Sequence, residues 1–460
     1  MNKAIEQSIR HAYANHELYL QSFKALLRIP SVSTDPAYKE GIEEAVTWLI
    51  NEITRIGFKN AQALRSEGQP IVYGEWLEAG PDKPTVLVYA HYDVQPVEPV
   101  NRWQTPPFEP TIVGDKLYAR GAMDDKCGVM INLKAFESIL STTGTLPVNI
   151  KLLFEGEEES GSPYMAGAIR HYRDLLTADL IVISDGGPAP DQPHIISSVR
   201  GIVGAEVSVR GPAHDLHSGK FGGVVHNPLH MVGKIVASLH DEEGRVQIPG
   251  FYDDVVGASA TELAQYEANE ADFKAFQQAF SGVKQFWGVP EYNHIERVAS
   301  QPTCDVNGIS GGYQGEGLMT VIPAQASFKV TMRLVHNQNP ADIAEKFKQF
   351  IRSFECQTLD IEVITHEGSW PAKLLHEGAT VEALRAAYHA VWGKSAIVIG
   401  LGGSIPIIGM MQQELHAPII LMGFGIGDNQ HAPNEYLFLH EFQRGIDTAI
   451  HFYHYLVDQE

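Results

Sequence analysis

Residues 85–94 read TVLVYAHYDV, a short apolar run that ends in a histidine, with an acidic residue, Asp93, two positions further on. A run of this length that is rich in Val and Tyr is typical of a buried β-strand. The strand is therefore predicted to place His91 at its carboxyl end. This is the edge of the sheet where α/β proteins carry their chemistry.

Similar apolar runs lie on both sides of this strand in the chain. From about residue 70 to 200 they include IVYGEWL, VNIKLLFEGEEE, LIVISDGG and HIISSV, and they alternate with amphipathic segments such as GVMINLKAFESIL and MAGAIRHYRDLL. This alternation predicts the α/β class, with a mostly parallel sheet covered by helices. The pattern returns after residue 370 and ends in a closing helix predicted from about Glu435 to Val457. The first domain is therefore predicted to comprise residues 1–202 and 371–460.

Residues 203–370 follow a different order of elements. Their segments GAEVSVRG, NPLHMVGKIVASLH, CDVNGISG, ASFKVTMRLV, PADIAEKFKQFIRSF and LDIEVITHEG read as strand, helix, strand, strand, helix and strand. That order predicts an inserted α+β domain of the ferredoxin-like kind. Within it, residues 241–300 form a helical, polar insertion to which the sequence alone assigns no function.

Composition and charge narrow the range of partners. The 460 residues carry a formal charge of −22, which disfavours nucleic acid and anionic membrane surfaces. No apolar run approaches the roughly 20 residues that cross a bilayer, and the amphipathic N-terminus is interrupted by charges, unlike a signal peptide. Three cysteines far apart in sequence argue against a disulfide framework. A cytoplasmic protein is therefore predicted.

Four further segments place acidic residues or a histidine after a predicted strand or in a glycine turn. They contribute Asp124, Glu158 with Glu159, Asp185 and His431. Together with His91 these are the parts of a two-metal hydrolase, since one carboxylate can bridge two cations about 4 Å apart and another can transfer protons. Asp93 is placed to orient the imidazole of His91.

Taken singly, each of these residues has a structural alternative, such as a capped turn, a solvated loop or the first turn of a helix. Their coincidence at the strand ends of one predicted sheet favours a metal site. The mixture of imidazole and carboxylate suits zinc, manganese or cobalt.

Eight ordered motifs carry a family resemblance over nearly the whole chain. They are AHYDVQP, ARGAMDDKCG, FEGEEESGS, SDGG, DLHSGKFGG, GYQGEGLMTVIPAQASFKVTMRLV, GGSIP and NQHAPNE. In these motifs the chain resembles the di-zinc exopeptidase family of carnosinases, cytosolic nonspecific dipeptidases, aminoacylases and carboxypeptidase G. The resemblance implies a parallel-sheet metallopeptidase domain, an inserted lid and dimerisation domain, and two divalent ions, with zinc expected and manganese or cobalt as alternatives.

The resemblance also implies a ligand set. One ion would bind His91, Asp124 and Asp185, and the other would bind Asp124, Glu159 and His431, so that Asp124 bridges the two. The peptide bond after Asp124 is expected to be cis.

Catalytic roles follow from the same resemblance. Glu158 would be the general base and Asp93 the partner of the His91 imidazole. His217 would reach the active site of a neighbouring subunit in a homodimer and stabilise the oxyanion there, with Thr320 beside it.

The substrate's free carboxylate would be held by Arg333 and by the loop Gly403–Ser404. A planar guanidinium suits bidentate carboxylate recognition. The chain departs from the pattern at Gly400 and Leu401, where dipeptidases of this group usually carry Arg and Glu. This departure bears on side-chain preference and on recognition of the substrate amine.

The predicted function is that of a metal-dependent dipeptidase acting on dipeptides or similar small amides with a free carboxylate. One alternative is an N-acyl amino acid deacylase or carbamoyl amidohydrolase, although the deacylase relatives are typically shorter and lack a long insertion like residues 241–300. A more remote alternative is a non-catalytic dimeric binding protein. Such a protein should have lost a metal ligand or the base, and this sequence retains them all.

Overall fold

The computed structural model describes residues 3–187 and 192–458. It divides into two compact units. The first comprises the chain up to Ile196, Leu374–Val398 and the chain from Met410 onward, and the second comprises Ser197–Lys373 and Ile399–Gly409. The second unit is thus wider than the predicted range 203–370, and it includes the loop that contains Ser404. The catalytic and lid roles of the two domains stay predictions.

The secondary structure consists of short strands and mostly longer helices. The strands are β1 (Lys59–Leu64), β2 (Ile71–Trp76), β3 (Thr85–His91), β4 (Thr111–Val113), β5 (Lys116–Tyr118), β6 (Asn149–Glu155), β7 (Leu180–Ile183), β8 (His194–Val199), β9 (Gly201–Arg210), β10 (Leu216–His217), β11 (Thr303–Gly311), β12 (Val321–Ile322), β13 (Gln325–Leu334), β14 (Asp360–Thr365), β15 (Ala372–Lys373), β16 (Ile397–Leu401), β17 (Ile419–Leu421), β18 (Gly427–Asp428) and β19 (Tyr436–Phe438). The helices are α1 (Lys3–Ala14), α2 (His16–Leu27), α3 (Lys39–Ile56), α4 (Lys126–Thr143), α5 (Met165–His171), α6 (Arg173–Leu176), α7 (Ser218–Phe221), α8 (Pro228–Ala237), α9 (Ala260–Ser281), α10 (His294–Ala299), α11 (Pro340–Arg352), α12 (Ala379–Trp392), α13 (Pro406–Leu415) and α14 (Leu439–Asp458).

The first unit is built on a six-stranded sheet in the order β1-β2-β6-β3-β7-β17. Strands β6, β3, β7 and β17 run parallel to one another, β2 runs antiparallel to β6, and β1 runs antiparallel to β2. The predicted mostly parallel sheet is confirmed. Every residue of β6 is buried, and β3 is buried from Val86 to His91, as is typical of central strands in a parallel sheet.

Helices of the first unit pack around this sheet through large apolar side chains. The rings of Phe136 on α4 and Tyr453 on α14 lie 4.8 Å apart between centroids, and Phe23 on α2 stacks on Phe442 at 5.0 Å. Helix α14 begins at Leu439, later than the predicted start at residue 435, because residues 436–438 form β19 and pair with β5. Glu435 therefore lies in the loop before a strand.

The second unit contains an antiparallel sheet in the order β11-β13-β9-β14. Its connectivity is β9, α8, β11, β13, α11, β14, so the predicted ferredoxin-like unit is confirmed. Asn227 and Asn339 cap helices α8 and α11 through side-chain oxygens, and each helix has a proline in its first turn.

Residues 241–300 contribute helices α9 and α10 to the second unit. A capping box between Ser259 and Glu262 starts α9. Tyr266 of α9 packs with Ile295 and Ala299 of α10 in a small buried cluster. Among residues 3–187 and 192–458, no helix has the length and apolar character needed to cross a membrane.

Candidate metal centre and active site

The five predicted metal ligands lie together in the first unit. Asp124 places Oδ1 at 3.1 Å from Nε2 of His91 and Oδ2 at 3.0 Å from Nε2 of His431. Glu159 Oε2 lies 3.3 Å from the same nitrogen of His431, and Asp185 Oδ1 lies 4.0 Å from Nε2 of His91. Asp124 thus occupies the central position that its predicted bridging role requires.

The parallel sheet explains why distant residues meet. His91 is the last residue of β3, and Asp185 follows the end of its neighbour β7 by two positions. Glu159 lies in a short turn after β6, the strand on the other side of β3. His431 reaches the cluster from the loop between β18 and β19, where its backbone is left-handed with φ of 57°.

Asp124 lies in the loop before α4, and a buried residue that the sequence did not identify holds this loop. The carboxylate of Glu435 accepts hydrogen bonds from the backbone N–H groups of Gly121, Met123 and Asp124 at 3.0, 2.9 and 3.1 Å. It also accepts one from Arg120 Nη1 at 2.7 Å. Burial raises the pKa of Glu435. Its only signal in the sequence is that it closes the motif NQHAPNE.

Asp93 contacts both His91 and the glutamates. His91 Nδ1 lies 3.1 Å from the backbone oxygen of Asp93 and 3.4 Å from its carboxylate, so the main-chain contact is the closer one. The two carboxylate oxygens accept hydrogen bonds from the backbone N–H groups of Glu158 and Glu159 at 3.2 and 3.1 Å. Asp93 therefore ties the turn after β6 to the end of β3.

Asp125 is a second residue that the sequence reasoning missed. The peptide bond between Asp124 and Asp125 is cis, as the family resemblance predicts. Two groups of side chains have potential ligand atoms within 4.8 Å of one another: His91, Asp124 and Glu159, and His91, Asp125 and Asp185. The second group differs from the predicted ligand set of one ion, His91, Asp124 and Asp185, because it contains Asp125 in place of Asp124. Asp125 Oδ2 accepts the backbone N–H of His91 at 3.3 Å, and Oδ1 is buried without a hydrogen-bond partner.

Two glutamine side chains complete the surroundings of the cluster. Gln430 donates from Nε2 to Asp124 Oδ2 at 2.7 Å, and Gln95 donates from Nε2 to Glu159 Oε2 at 2.8 Å. Gln95 follows His91 by four positions, and Gln430 immediately precedes His431. Glutamine is nevertheless too common in loops for the sequence alone to identify these two residues. They orient carboxylates without adding charge.

The electrostatics of the cluster favour cations. Burial raises the pKa of Glu158 to about 7, of Glu159 to about 8 and of Asp185 to about 6. Burial opposes ionisation of Asp124 as well, but hydrogen bonds from His431 and His91 outweigh it and lower the pKa of that carboxyl. Burial also works against a charged His91, yet its bonds to Asp124 and Asp93 raise the pKa of its imidazole well above the usual value.

Without metal, the raised pKa values favour protonation of Glu158, Glu159 and Asp185, which reduces the repulsion between neighbouring carboxylates. Divalent cations would take over that role and displace those protons. The donor set of imidazoles and carboxylates, with the unpartnered Oδ1 of Asp125, fits such cations.

The remaining predicted residues belong to the second unit. Arg333 donates from Nη1 to the hydroxyl of Ser404 at 2.8 Å, and Gly403 precedes that serine. His217 ends β10, which pairs with β12, and the N–H of Ser218 donates to the carbonyl of Thr320 at 3.0 Å. His217 Nδ1 accepts the N–H of Gly219 at 3.0 Å, so the proton of the neutral ring lies on the exposed Nε2 side.

A mostly parallel sheet with imidazoles and carboxylates clustered at its strand ends has the parts that a hydrolase of the metallopeptidase class needs. The family model for peptidase family M20/M25/M40 matches residues 87–454. The chain belongs to this peptidase family, which confirms the predicted family and the predicted enzyme class.

Relatives support this assignment over most of the chain. The chain is 30% identical to the Cys-Gly metallodipeptidase dug1 of Schizosaccharomyces pombe, with 93% of each chain covered. It is 28% identical to the human Beta-Ala-His dipeptidase over 94% of this chain and 88% of the relative. Its fold is similar to that of the M20 family metallo-carboxypeptidase Sso-CP2 from Sulfolobus solfataricus, with a TM-score of 0.81, 32% identity and coverage of 95% and 99%.

Proposed function

We propose that this protein is a metal-dependent dipeptidase that hydrolyses the amide bond of small substrates with a free C-terminal carboxylate. One observation carries the proposal. The two oxygens of Asp124 each face a different imidazole, at 3.1 Å from His91 and 3.0 Å from His431. A carboxylate between two histidines is the arrangement that a bridged pair of cations needs.

The proposed ligands of the two divalent ions are His91, Asp124, Asp185, Glu159 and His431. Zinc is the expected metal, and manganese and cobalt suit the same donors. When bound, the ions would supply Lewis-acid polarisation of the scissile carbonyl. The position of Asp125 beside His91 and Asp185 makes it an additional candidate ligand.

Glu158 is the proposed general base. Burial raises the pKa of Glu158, and bound cations would favour its ionised form. The carboxylate could then accept a proton from the attacking water and return it to the leaving amine. Hydrogen bonds from the backbone N–H groups of Glu158 and Glu159 to Asp93 fix the turn that presents the base.

His217 is the proposed oxyanion donor, with Thr320 beside it, and it would act in the active site of the partner subunit of a homodimer. The bond from Gly219 to Nδ1 leaves Nε2 to donate towards the developing negative charge. The exposure of His217 in the single chain supports action on a neighbour.

Arg333, Gly403 and Ser404 form the proposed site for the substrate carboxylate. The hydrogen bond between Arg333 and Ser404 gives the guanidinium a fixed orientation. A guanidinium held in this way can bind a carboxylate through two parallel hydrogen bonds.

The proposed substrate class is based on the relatives, and the proposed cellular compartment is based on the cysteines. The curated relatives are named for dipeptides, Cys-Gly and Beta-Ala-His, whereas the Sulfolobus relative is described as a carboxypeptidase. Dipeptides are therefore the proposed substrates, and longer peptides and N-acyl amino acids are the competing classes. A reducing compartment such as the cytoplasm is proposed, since Cys127, Cys304 and Cys356 are free.

The first experiment changes Glu158→Gln in the metal-loaded protein. We expect turnover of dipeptides to fall at least about a hundredfold while two ions per chain stay bound, because the residue moves protons and is not a ligand. Metal analysis by mass spectrometry and steady-state rates give both readouts. Glu78→Gln, an exposed substitution in the same unit, is the control. Wild-type rates in Glu158→Gln would refute the role of the base.

A second experiment compares substrates on the purified wild-type protein. Dipeptides, tripeptides and N-acetyl amino acids are offered before and after removal of divalent ions by a chelator. We expect hydrolysis of dipeptides only, its loss on chelation and its return with zinc, manganese or cobalt. Activity confined to N-acetyl amino acids would establish the deacylase alternative. A stripped preparation that stays fully active would contradict the metal mechanism.

A further inference from the structure

Helix α10 of the insertion occupies the space beside the loop that carries Ser404. A Cβ atom added at Gly400 would lie 2.4 Å from Cβ of Ala299 and 2.9 Å from Oγ of Ser198. A Cβ atom added at Gly402 would lie 2.7 Å from Cγ1 of Val298. Gly400, near the end of β16, and Gly402, in the loop that follows, thus allow α10 to contact the backbone directly.

Arg200 holds the same loop through its carbonyl groups. Its Nε donates to the carbonyl of Gly402 at 2.7 Å, and its backbone N–H donates to the carbonyl of Gly403 at 3.1 Å. The next residue, Ser404, accepts the hydrogen bond from Arg333. Three sets of contacts therefore fix this segment. Helix α10 packs against Gly400 and Gly402. Arg200 donates to the carbonyls of Gly402 and Gly403, and Arg333 donates to the hydroxyl of Ser404.

Helix α10 is itself well anchored. Its cap residue Asn293 accepts the N–H of Glu296 at 2.8 Å, and the N–H of His294 donates to Glu270 of α9 at 2.9 Å. Ile295 and Ala299 are buried against Tyr266. A helix held in this way can resist displacement of the loop that packs on it.

We propose that α10, through Val298 and Ala299, is a positioning element for the carboxylate-binding loop, and that this is a function of the insertion. A residue larger than glycine at position 400 would clash with the side chain of Ala299 in this packing. The inference rests on the proposed carboxylate-binding role of Arg333 and Ser404.

The test uses Gly400→Ala, Ala299→Gly and the double variant, with Gly233→Ala as the control. Gly233 lies in helix α8 of the same unit, and a Cβ atom there meets nothing within 4 Å. KM and kcat are measured for a dipeptide and for the same dipeptide with an amidated C-terminus. Melting temperature and metal content are recorded for each variant.

We expect Gly400→Ala to raise KM for the free dipeptide about tenfold, because a small displacement of Arg333 and Ser404 weakens carboxylate binding. Metal content and the kinetics on the amide should stay within about twofold of wild type, since neither depends on this loop. The double variant should recover most of the loss, as Ala299→Gly removes the closest clash. A loss of folding alone would not produce this difference between the two substrates.

The outcomes separate this inference from the proposed function. A wild-type enzyme that treats the free dipeptide and its amide alike would overturn the carboxylate site, and the inference with it. A wild type that prefers the free dipeptide, with the same preference retained in Gly400→Ala, would overturn the inference alone. So would a double variant as impaired as the single one. If Gly400→Ala does not fold, Val298→Ala removes support without a clash, and an unchanged KM for the free dipeptide in that variant would also overturn it.

Discussion

One carboxylate oxygen of Glu435 accepts a hydrogen bond from the backbone N–H of Asp124 at 3.1 Å. The same oxygen accepts the N–H of Met123, and the other oxygen accepts the N–H of Gly121. Because Glu435 is fully buried, these hydrogen bonds fix the position of the loop formed by residues 121–124 and thereby orient the carboxylate of Asp124. Residues that hydrogen-bond to metal ligands orient them, and the loss of such a residue commonly weakens metal binding.

Glu435→Gln should therefore weaken metal binding by about 10- to 100-fold. The amide nitrogen of glutamine cannot accept the backbone hydrogen bonds that one carboxylate oxygen now receives, so the loop shifts. Titration of the metal-free protein with zinc measures the effect, and Glu78→Gln controls for the loss of a surface carboxylate. An unchanged zinc affinity would show that Glu435 serves folding and not the metal centre.

Arg333→Ala should remove the penalty for amidating the substrate. In the wild type we expect amidation of the C-terminus to lower kcat/KM at least about a hundredfold, because the guanidinium loses its charged partner. In Arg333→Ala the free dipeptide and its amide should be hydrolysed at similar low rates. Arg210→Ala removes an exposed arginine from β9 of the same sheet and is the control. An equal penalty in the wild type and in Arg333→Ala would exclude this role.

Mixed dimers test whether His217 acts on a neighbouring subunit. Chains with His217→Ala and chains with Glu158→Gln should both be nearly inactive alone. After subunit exchange, a hybrid dimer would contain one site with an intact base and an intact donor, so activity should rise to a substantial fraction of wild type. Exchange is verified with differently tagged chains. Verified exchange without any recovery would contradict action between subunits.

Much of the site could be predicted because its residues follow buried strands. The apolar runs before His91, Glu159 and Asp185 mark β3, β6 and β7, and adjacent parallel strands bring their carboxyl ends to one edge. Local hydrophobic pattern is enough for that inference. The inserted ferredoxin-like unit could be predicted for the same reason, since each of its elements has its own periodicity.

The supporting residues could not be predicted because their roles depend on contacts between distant parts of the chain. Glu435 bonds to a backbone N–H 311 positions away, and a backbone group leaves no trace in the sequence. Asp125 is the same type of residue as its neighbour Asp124, and its contact with the backbone N–H of His91, 34 positions away, is not visible in the sequence. The error at the start of α14 has a similar origin, because pairing of β19 with β5 overrides the helical pattern of residues 435–438.

A buried carboxyl away from the metal centre makes stability depend on pH. Asp447 on α14 is 8% exposed, and its Oδ1 accepts a hydrogen bond from Gln443 at 2.9 Å. Burial raises its pKa from 3.8 to about 6. The folded state therefore binds this proton more tightly than the unfolded state, so its contribution to the free energy of unfolding falls as pH rises from about 4 to 6 and stays low above that.

Asp447→Asn should abolish this contribution, since the amide does not ionise and its oxygen can still accept the bond from Gln443. Relative to wild type, we expect the variant to gain about 2 kcal/mol in unfolding free energy between pH 4.5 and 7.5, measured by urea denaturation. Asp82→Asn at an exposed site of the same unit should show no such gain. A difference between wild type and Asp447→Asn that is constant with pH would mean that folding does not raise the pKa of Asp447, and it would contradict this prediction.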